Sequence, residues 1–395
     1  MRSTCLDALI NSDTRFVLPN RLTRVGRRAQ AAKRATDTLR ETFDARPLLV
    51  TSPGSVNWRS GGISDPIDLA ASSDPLWILD CAQGSALITS EIEAPRFESD
   101  FHVRSMGWDV LRAPWYDADA PLALACSYAG VAPSELLSDS DAFGDNIRDH
   151  LITARLVLSD AEQEELRELG ALVGVALGAG VDAWKPGVST DFDTAAVISA
   201  VLEAEGVKAA CLIVGGDERL RNLRHPLAVG DVLNDAIMTV VVAKRAGLHV
   251  AATRICVRRK DDEIVTLMKT LDVVNDAVLD ASLPGGTWGE TLKALASGYD
   301  AVGQPDAWQE HFQGGPIGFE QREFELAPTQ DSSPFWNLTR AANTAVAWNP
   351  SLRGGAKIEE TYLVNAGLEW LTPTPSWPVL EGPHGSRHSA LKVLQ

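Results

Sequence analysis

TVVVAKRAGLHVAATRICVRR, Thr239–Arg259, consists of two apolar runs rich in β-branched and small residues, joined at Ala246-Gly247. Two such runs meeting at a glycine read as a β-hairpin, because glycine takes the positive φ that a tight turn needs. Upstream, AACLIVGG (209–216) is a buried strand ending in a Gly-Gly pair, followed by the polar run GGDERLRNLRHPLAVGD, which carries His225. Downstream lies WQEHFQGGPIGFEQRE, Trp308–Glu323. There a Gly-Gly-Pro turn lets the backbone approach a ligand closely, and it leaves His311, Gln313, Arg322 and Glu323 as polar groups able to face one pocket.

The hairpin is flanked by helices. Ser159 and Glu162 have capping-box spacing, so each side chain is expected to satisfy an amide at the start of a long helix. Leu166, Leu169, Val173, Ala176 and Leu177 follow at helical spacing as its core face. Lys185-Pro186-Gly187 stops it, and Thr190 caps a second helix carrying Phe192, Ala196, Ile198 and Leu202 and ending at Gly206. After the hairpin come a helix from about 261 to 280 and another after Gly289. Strand signals return from Thr344 through TYLVNAGLEWL.

The N-terminal part reads differently. RLTRVGRRAQAAKRATDTLRETF (21–43) places Val25, Ala29, Ala32, Ala35 and Leu39 on one helical face, with Arg21, Arg24, Arg27 and Arg28 expected on a solvated face. Short strands with turn punctuation follow in PLLVTS, VNWRSGG, PLWILD, ALITSEIEA and around Trp108–Tyr116, so this part is a compact α/β unit. The polar run SELLSDSDAFGDN places a boundary near residue 150, giving an N-terminal domain over 1–150 and a second over 151–395.

Composition narrows the function classes. Among 395 residues, 45% are hydrophobic and 23% charged, which describes a globular protein. A net charge of −17 argues against nucleic acid or an anionic membrane as the main partner. No apolar run reaches bilayer length, and the first residues lack the basic start and apolar stretch of a secretory leader. The five cysteines (Cys5, Cys81, Cys126, Cys211, Cys256) are scattered and never in a CxxC pair, so reduced thiols in a cytoplasmic protein are expected, with Cys211 and Cys256 as core residues.

The order of these elements carries a resemblance. Helix, Lys-Pro-Gly, helix, Gly-Gly strand, RHPL, GLHVAATR, HFQGGPIGF and KIEETYLV together resemble the creatinase, prolidase and methionine aminopeptidase superfamily over roughly Leu156–Pro378. The resemblance implies an α/β pita-bread domain preceded by a smaller N-terminal α/β domain, in which VNWRSGG resembles a strand of the creatinase and prolidase branch. It also implies a homodimer.

Peptidases of that superfamily hold two metals with two Asp, one His and two Glu. The corresponding positions here are Val240, Ala251, Phe312 (with His311 adjacent), Asn349 and Glu359, and only Glu359 keeps the ligand type. Divalent metals need several carboxylate oxygens to bind and to activate water, so no metal and no cofactor is expected. Asp231 and Asp235 precede the hairpin and read as solvated turn acids.

Creatinase is the member that this departure resembles, since it cleaves a guanidino C–N bond with a histidine as acid/base. The corresponding position is His225, whose alternative is a surface histidine before Pro226. An imidazole is the natural proton shuttle near neutral pH. Glu359 and Glu323 are expected beside it as catalytic carboxylates. Substrate contacts are expected from His311, His249, Arg322, from Arg254 or Arg353 as carboxylate forks, and from Trp58 and Arg59 of the N-terminal domain. The expected function is metal-independent C–N bond cleavage on a small-molecule substrate, by hydrolysis or as a lyase. A binding protein on the same fold and a metal-dependent Xaa-Pro-type, aminopeptidase P-like peptidase are the alternatives.

Overall fold

The structure is a computed structural model that describes residues 21–64 and 75–394. Cys5 and the segment read above for a leader lie outside the described residues. No helix among the described residues is long and apolar enough to cross a membrane.

The N-terminal part starts with α1 (Arg21–Glu41), β1 (Leu48–Val50) and α2 (Pro53–Ser60). β2 (Leu76–Cys81), β3 (Gly84–Ser90), α3 (Ala94–Phe101), β4 (Trp108–Ala113) and α4 (Ala120–Ala129) follow. The strands β5 (Leu137–Ser138) and β6 (Asp145–Asn146) and the helix α5 (Arg148–Arg155) complete it. Its six strands form one sheet in the order β4-β3-β2-β1-β5-β6.

Two expectations fail here. VNWRSGG is not a strand: Pro53 fits the first turn of a helix, where no amide partner is lost, and Gly61 at φ 77° closes that helix. The glycine is required for packing as well, since a Cβ at Gly61 would lie 2.3 Å from the Val25 carbonyl oxygen on α1. The basic face of α1 is solvated only in part: Arg21 and Arg27 are exposed, but Arg24 and Arg28 turn inward. Arg28 is buried and donates to the Ala246 carbonyl, while Arg24 binds Glu165 at 2.6 Å and Glu168 at 2.7 Å. Carboxylates on the helix that α1 packs against draw these side chains inward, and one helix's pattern cannot show that.

That helix is α6 (Asp160–Ala183), followed by α7 (Asp191–Ala204). Glu162 accepts from the Ser159 amide as the capping box predicts, but the Ser159 hydroxyl turns to the same carboxylate at 2.8 Å. All five apolar positions named for α6 are buried. Then come β7 (Lys208–Gly216), α8 (Asp217–Asn222), β8 (Ala236–Arg245) and β9 (Leu248–Val257). The hairpin turns on two residues, Ala246 at φ 48° and Gly247 at φ 78°, with Arg245 paired to Leu248. Positive φ at both positions matches the twist of the flanking strands.

Both faces of the hairpin are covered. Along β8, Ile237, Val241 and Ala243 enter the core shared with α1 and α6, and Ala236, Met238 and Val240 enter a second core. The period of two thus assigns one strand to two interiors. The second core is closed by α9 (Asp262–Asp280) and α10 (Trp288–Ala301), with Trp288 edge-on to Phe324 and Phe324 stacked on Phe335.

Six further strands frame the site. These are β10 (Gly314–Pro316), β11 (Thr344–Trp348), β12 (Ser351–Leu352), β13 (Ala356–Lys357), β14 (Glu360–Val364) and β15 (Leu368–Trp370). β10, β11, β14 and β15 form one sheet in that order. It is stitched to β9 where Ala251 N donates to the Thr361 hydroxyl, that hydroxyl donates to the Ala251 carbonyl, and Thr253 N donates to the Glu359 carbonyl. This seam holds the KIEET run against the hairpin.

Candidate active site

Val240 faces Thr253 on one side and Ile213 on the other, and Val242 lies between Ala251 and Cys211. Val240 and Ala251 are buried in the apolar cores and carry no donor atom, so the positions where the resemblance puts metal ligands are apolar. Phe312 is 61% exposed and turned outward. Asn349 is buried with Oδ1 lacking a hydrogen bond, and a lone amide oxygen is a poor substitute for the carboxylates that such centres use. No group of three or more His, Cys, Asp or Glu among the described residues could hold a metal ion. The side chains therefore do not fit a two-metal centre. Asp231 and Asp235 are exposed, as expected of turn acids.

Two histidines meet elsewhere in this part of the chain. His225 sits in the loop after α8, and His311 follows the short 3-10 helix Ala307–Glu310. Their Nε2 atoms are 3.0 Å apart. The Gln313 amide donates to the His311 carbonyl at 2.7 Å and to Trp308 O at 3.0 Å, while Tyr299 OH donates to Gln313 Oε1 at 3.0 Å, so the His311 backbone is held from a buried side chain.

The proton positions follow from chemistry. Nδ1 of His311 lies 2.5 Å from the Phe312 carbonyl oxygen, which only accepts, so Nδ1 bears a hydrogen. Burial, and then the charge of Lys357, pull the His311 pKa down to about 3, so the ring is neutral and its Nε2 is an acceptor. His225 must then donate from Nε2, which leaves its Nδ1 as a bare lone pair. No group among the described residues is hydrogen-bonded to that Nδ1. The same two causes, burial first and Lys357 second, hold the His225 pKa below its ordinary value. The pair lies in the wall of a pocket of about 400 Å³, lined also by Arg224, Glu310, Phe312 and Leu326.

Glu359 and Lys357 are two residues apart, and the Glu359 carboxylate acts electrostatically on the Lys357 ammonium. Glu359 is buried, and its Oε2 accepts from the Thr253 hydroxyl at 2.7 Å, while Oε1 has no hydrogen-bond partner among the described residues. Lys357 is 4% exposed. Burial lowers its pKa; the Glu359 carboxylate opposes this and Arg322 adds to it. Arg322 donates to Glu325 and lies 5.3 Å from the Phe312 ring centre. Cys211 is half-buried, and burial raises its pKa, which keeps the thiol unreactive.

Several expected site residues are committed elsewhere. Arg254 is fully buried, binding Glu360 through both Nη atoms and donating to the Thr372 carbonyl and the Thr374 hydroxyl, so its fork has no capacity left for a substrate. Glu323 is buried against Arg155 at 2.7 Å and accepts from the amides of Phe319 and Glu320, which shapes the loop after β10. His249 is buried, with Nδ1 3.0 Å from the Gly318 carbonyl. Arg59 is 1% exposed and holds Asp80 through two nitrogens beneath the Trp108 ring. Trp58 is part of the N-terminal core. In each case the partner is remote in sequence, so burial could not be foreseen from local pattern. Arg353 is exposed and bound to Glu310.

Lys357, Arg224 and Glu310 were not anticipated. For Lys357 a signal existed, because it precedes Glu359 by two in the KIEET run. Nothing local singles out Arg224 or Glu310.

No protein-family model matches the sequence, and no curated protein matches it either. Solved structures do match its fold. A dipeptidase, PepE, from Mycobacterium ulcerans aligns with a TM-score of 0.70 and 20% identity, over 95% of this chain and 99% of the other. An Xaa-Pro dipeptidase from Bacillus anthracis aligns at 0.67 and 17% identity, over 87% and 98%. The N-terminal domain of FACT complex subunit SPT16 from Cicer arietinum aligns at 0.64 and 14% identity, over 90% and 97%. Likeness at these identities speaks for the fold alone, and the fold of this chain is the pita-bread fold.

Proposed function

We propose that this protein is a hydrolase that cleaves a C–N bond of a small polar substrate, with His225 as acid/base and His311 as its orienting partner. The 3.0 Å contact between the two Nε2 atoms in a pocket wall is the observation that carries this. Nδ1 of His225 would take a proton from the attacking water. The imidazolium so formed keeps its Nε2–H on the neutral His311, which stabilises the charge, and it then protonates the leaving nitrogen. Glu359 Oε1, which has no hydrogen-bond partner among the described residues, is the acceptor assigned here to an amide or guanidino N–H of the substrate. No step is routed through a metal, because the donor set does not fit one.

Turnover of guanidino and amide compounds by the wild-type chain, lost in His225→Gln, tests the proposal. Undiminished turnover in that variant would refute it. A second reading, a non-catalytic binding protein, is favoured by the apolar residues at Val240 and Ala251 and by the likeness to the SPT16 domain. It predicts that no substrate of either class is turned over.

A further inference from the structure

Beside the histidine pocket lies a smaller cavity of about 90 Å³, about the room of a few waters. Arg224 and Glu310 line both spaces. The small one is walled in addition by Arg221, Arg353 and Lys357. Arg221 is balanced by Asp261 and Glu263. Arg224 and Arg353 have to share one carboxylate, that of Glu310, which receives Arg353 Nε at 2.9 Å on both oxygens. Lys357 is almost fully buried, and its ammonium has no hydrogen-bond partner among the described residues. The wall thus carries more cations than anions, on a chain whose net charge is −17. The Glu359 carboxylate acts on this ammonium but does not hydrogen-bond it, and an anion entering the cavity would supply that bond.

We propose that this cavity is an oxyanion subsite that receives a carboxylate or phosphate group of the substrate, with Lys357 at its base and Arg224 and Arg353 at its rim. Planar guanidinium forks suit both kinds of oxyanion, and the ammonium serves as a point charge. The subsite rests on the histidine-centred reading for its place in catalysis, since the shared Arg224 and Glu310 put the anionic end of the substrate next to the reacting end. It selects an anionic substrate over a neutral or cationic one.

Calorimetric titration of the full chain with inorganic phosphate, at low ionic strength and neutral pH, tests this. Wild type is expected to bind one phosphate saturably, with Lys357→Met and Arg353→Ala each weakening it about 10-fold or more, the loss of one charged hydrogen bond. Arg353 is exposed, so its variant keeps the test valid even where Lys357→Met disturbs folding. Competition by acetate would identify a carboxylate-bearing substrate class, and phosphate binding without such competition a phosphate-bearing one. Absence of saturable phosphate binding, or unchanged affinity in both variants, would overturn the subsite. His225→Gln should still bind phosphate, so failure of the catalytic reading and failure of the subsite give different results.

Discussion

The Nε2 atoms of His225 and His311 lie 3.0 Å apart, and the Phe312 carbonyl settles which of them donates. With His311 Nδ1 bearing a hydrogen, His225 is the donor and presents Nδ1 as the base. His311→Gln retains an acceptor for His225 and should keep much of the turnover, whereas His311→Phe removes it. The Phe variant is expected to lose about 100-fold or more in kcat. It should also move the acid limb of the pH profile, a shift that purely structural damage would not produce.

That acid limb has a definite sign. The base form of His225 is neutral and its pKa is depressed by burial, then by Lys357. Activity should rise with pH through a pKa below the ordinary histidine value and be on its plateau at neutral pH. A limb centred well above that value, seen in kcat/KM against pH, would exclude His225 as the base.

His249 contributes to stability rather than to turnover. Burial lowers its pKa to about 4, so between that value and the unfolded value the unfolded chain binds more protons. Its stabilisation is complete above the unfolded pKa and is lost as pH falls toward 4, by roughly 3 kcal/mol in all. Urea unfolding at pH 7 and 4.5 should show a flatter pH dependence for His249→Asn than for wild type, and equal slopes would refute the assignment.

Glu323→Gln unpairs the buried Arg155 from its charge partner. A loss of about 3–5 kcal/mol in unfolding free energy is expected, with the pH profile of any residual turnover unchanged. A changed profile at native stability would return Glu323 to the catalytic set.

Exposure of the purified chain to Mn, Co and Zn, followed by plasma mass spectrometry, should find no stoichiometric metal. The reason is the donor chemistry of Val240, Ala251 and Asn349, which lack a carboxylate. Stoichiometric metal would show that other side chains, Glu359 and His311 foremost, assemble a centre of their own.

The sequence alone determined the elements whose cause is local. The hairpin at Ala246-Gly247, the apolar face of α6 and the strand opening at Glu360 follow from turn chemistry and periodicity, which act over a few residues. It also placed Val240 and Ala251 where ligands are absent, because residue identity needs no coordinates. Tertiary structure decided which charges are free. Arg254, Arg59 and Glu323 look in sequence like Arg353 and Glu359, yet Glu360, Asp80 and Arg155 engage them from strands and helices far along the chain. Only folding brought His225 against His311, 86 residues apart, and left Lys357 buried without a hydrogen-bond partner among the described residues. Burial and pairing are properties of the space around a group, and no short window of sequence contains them.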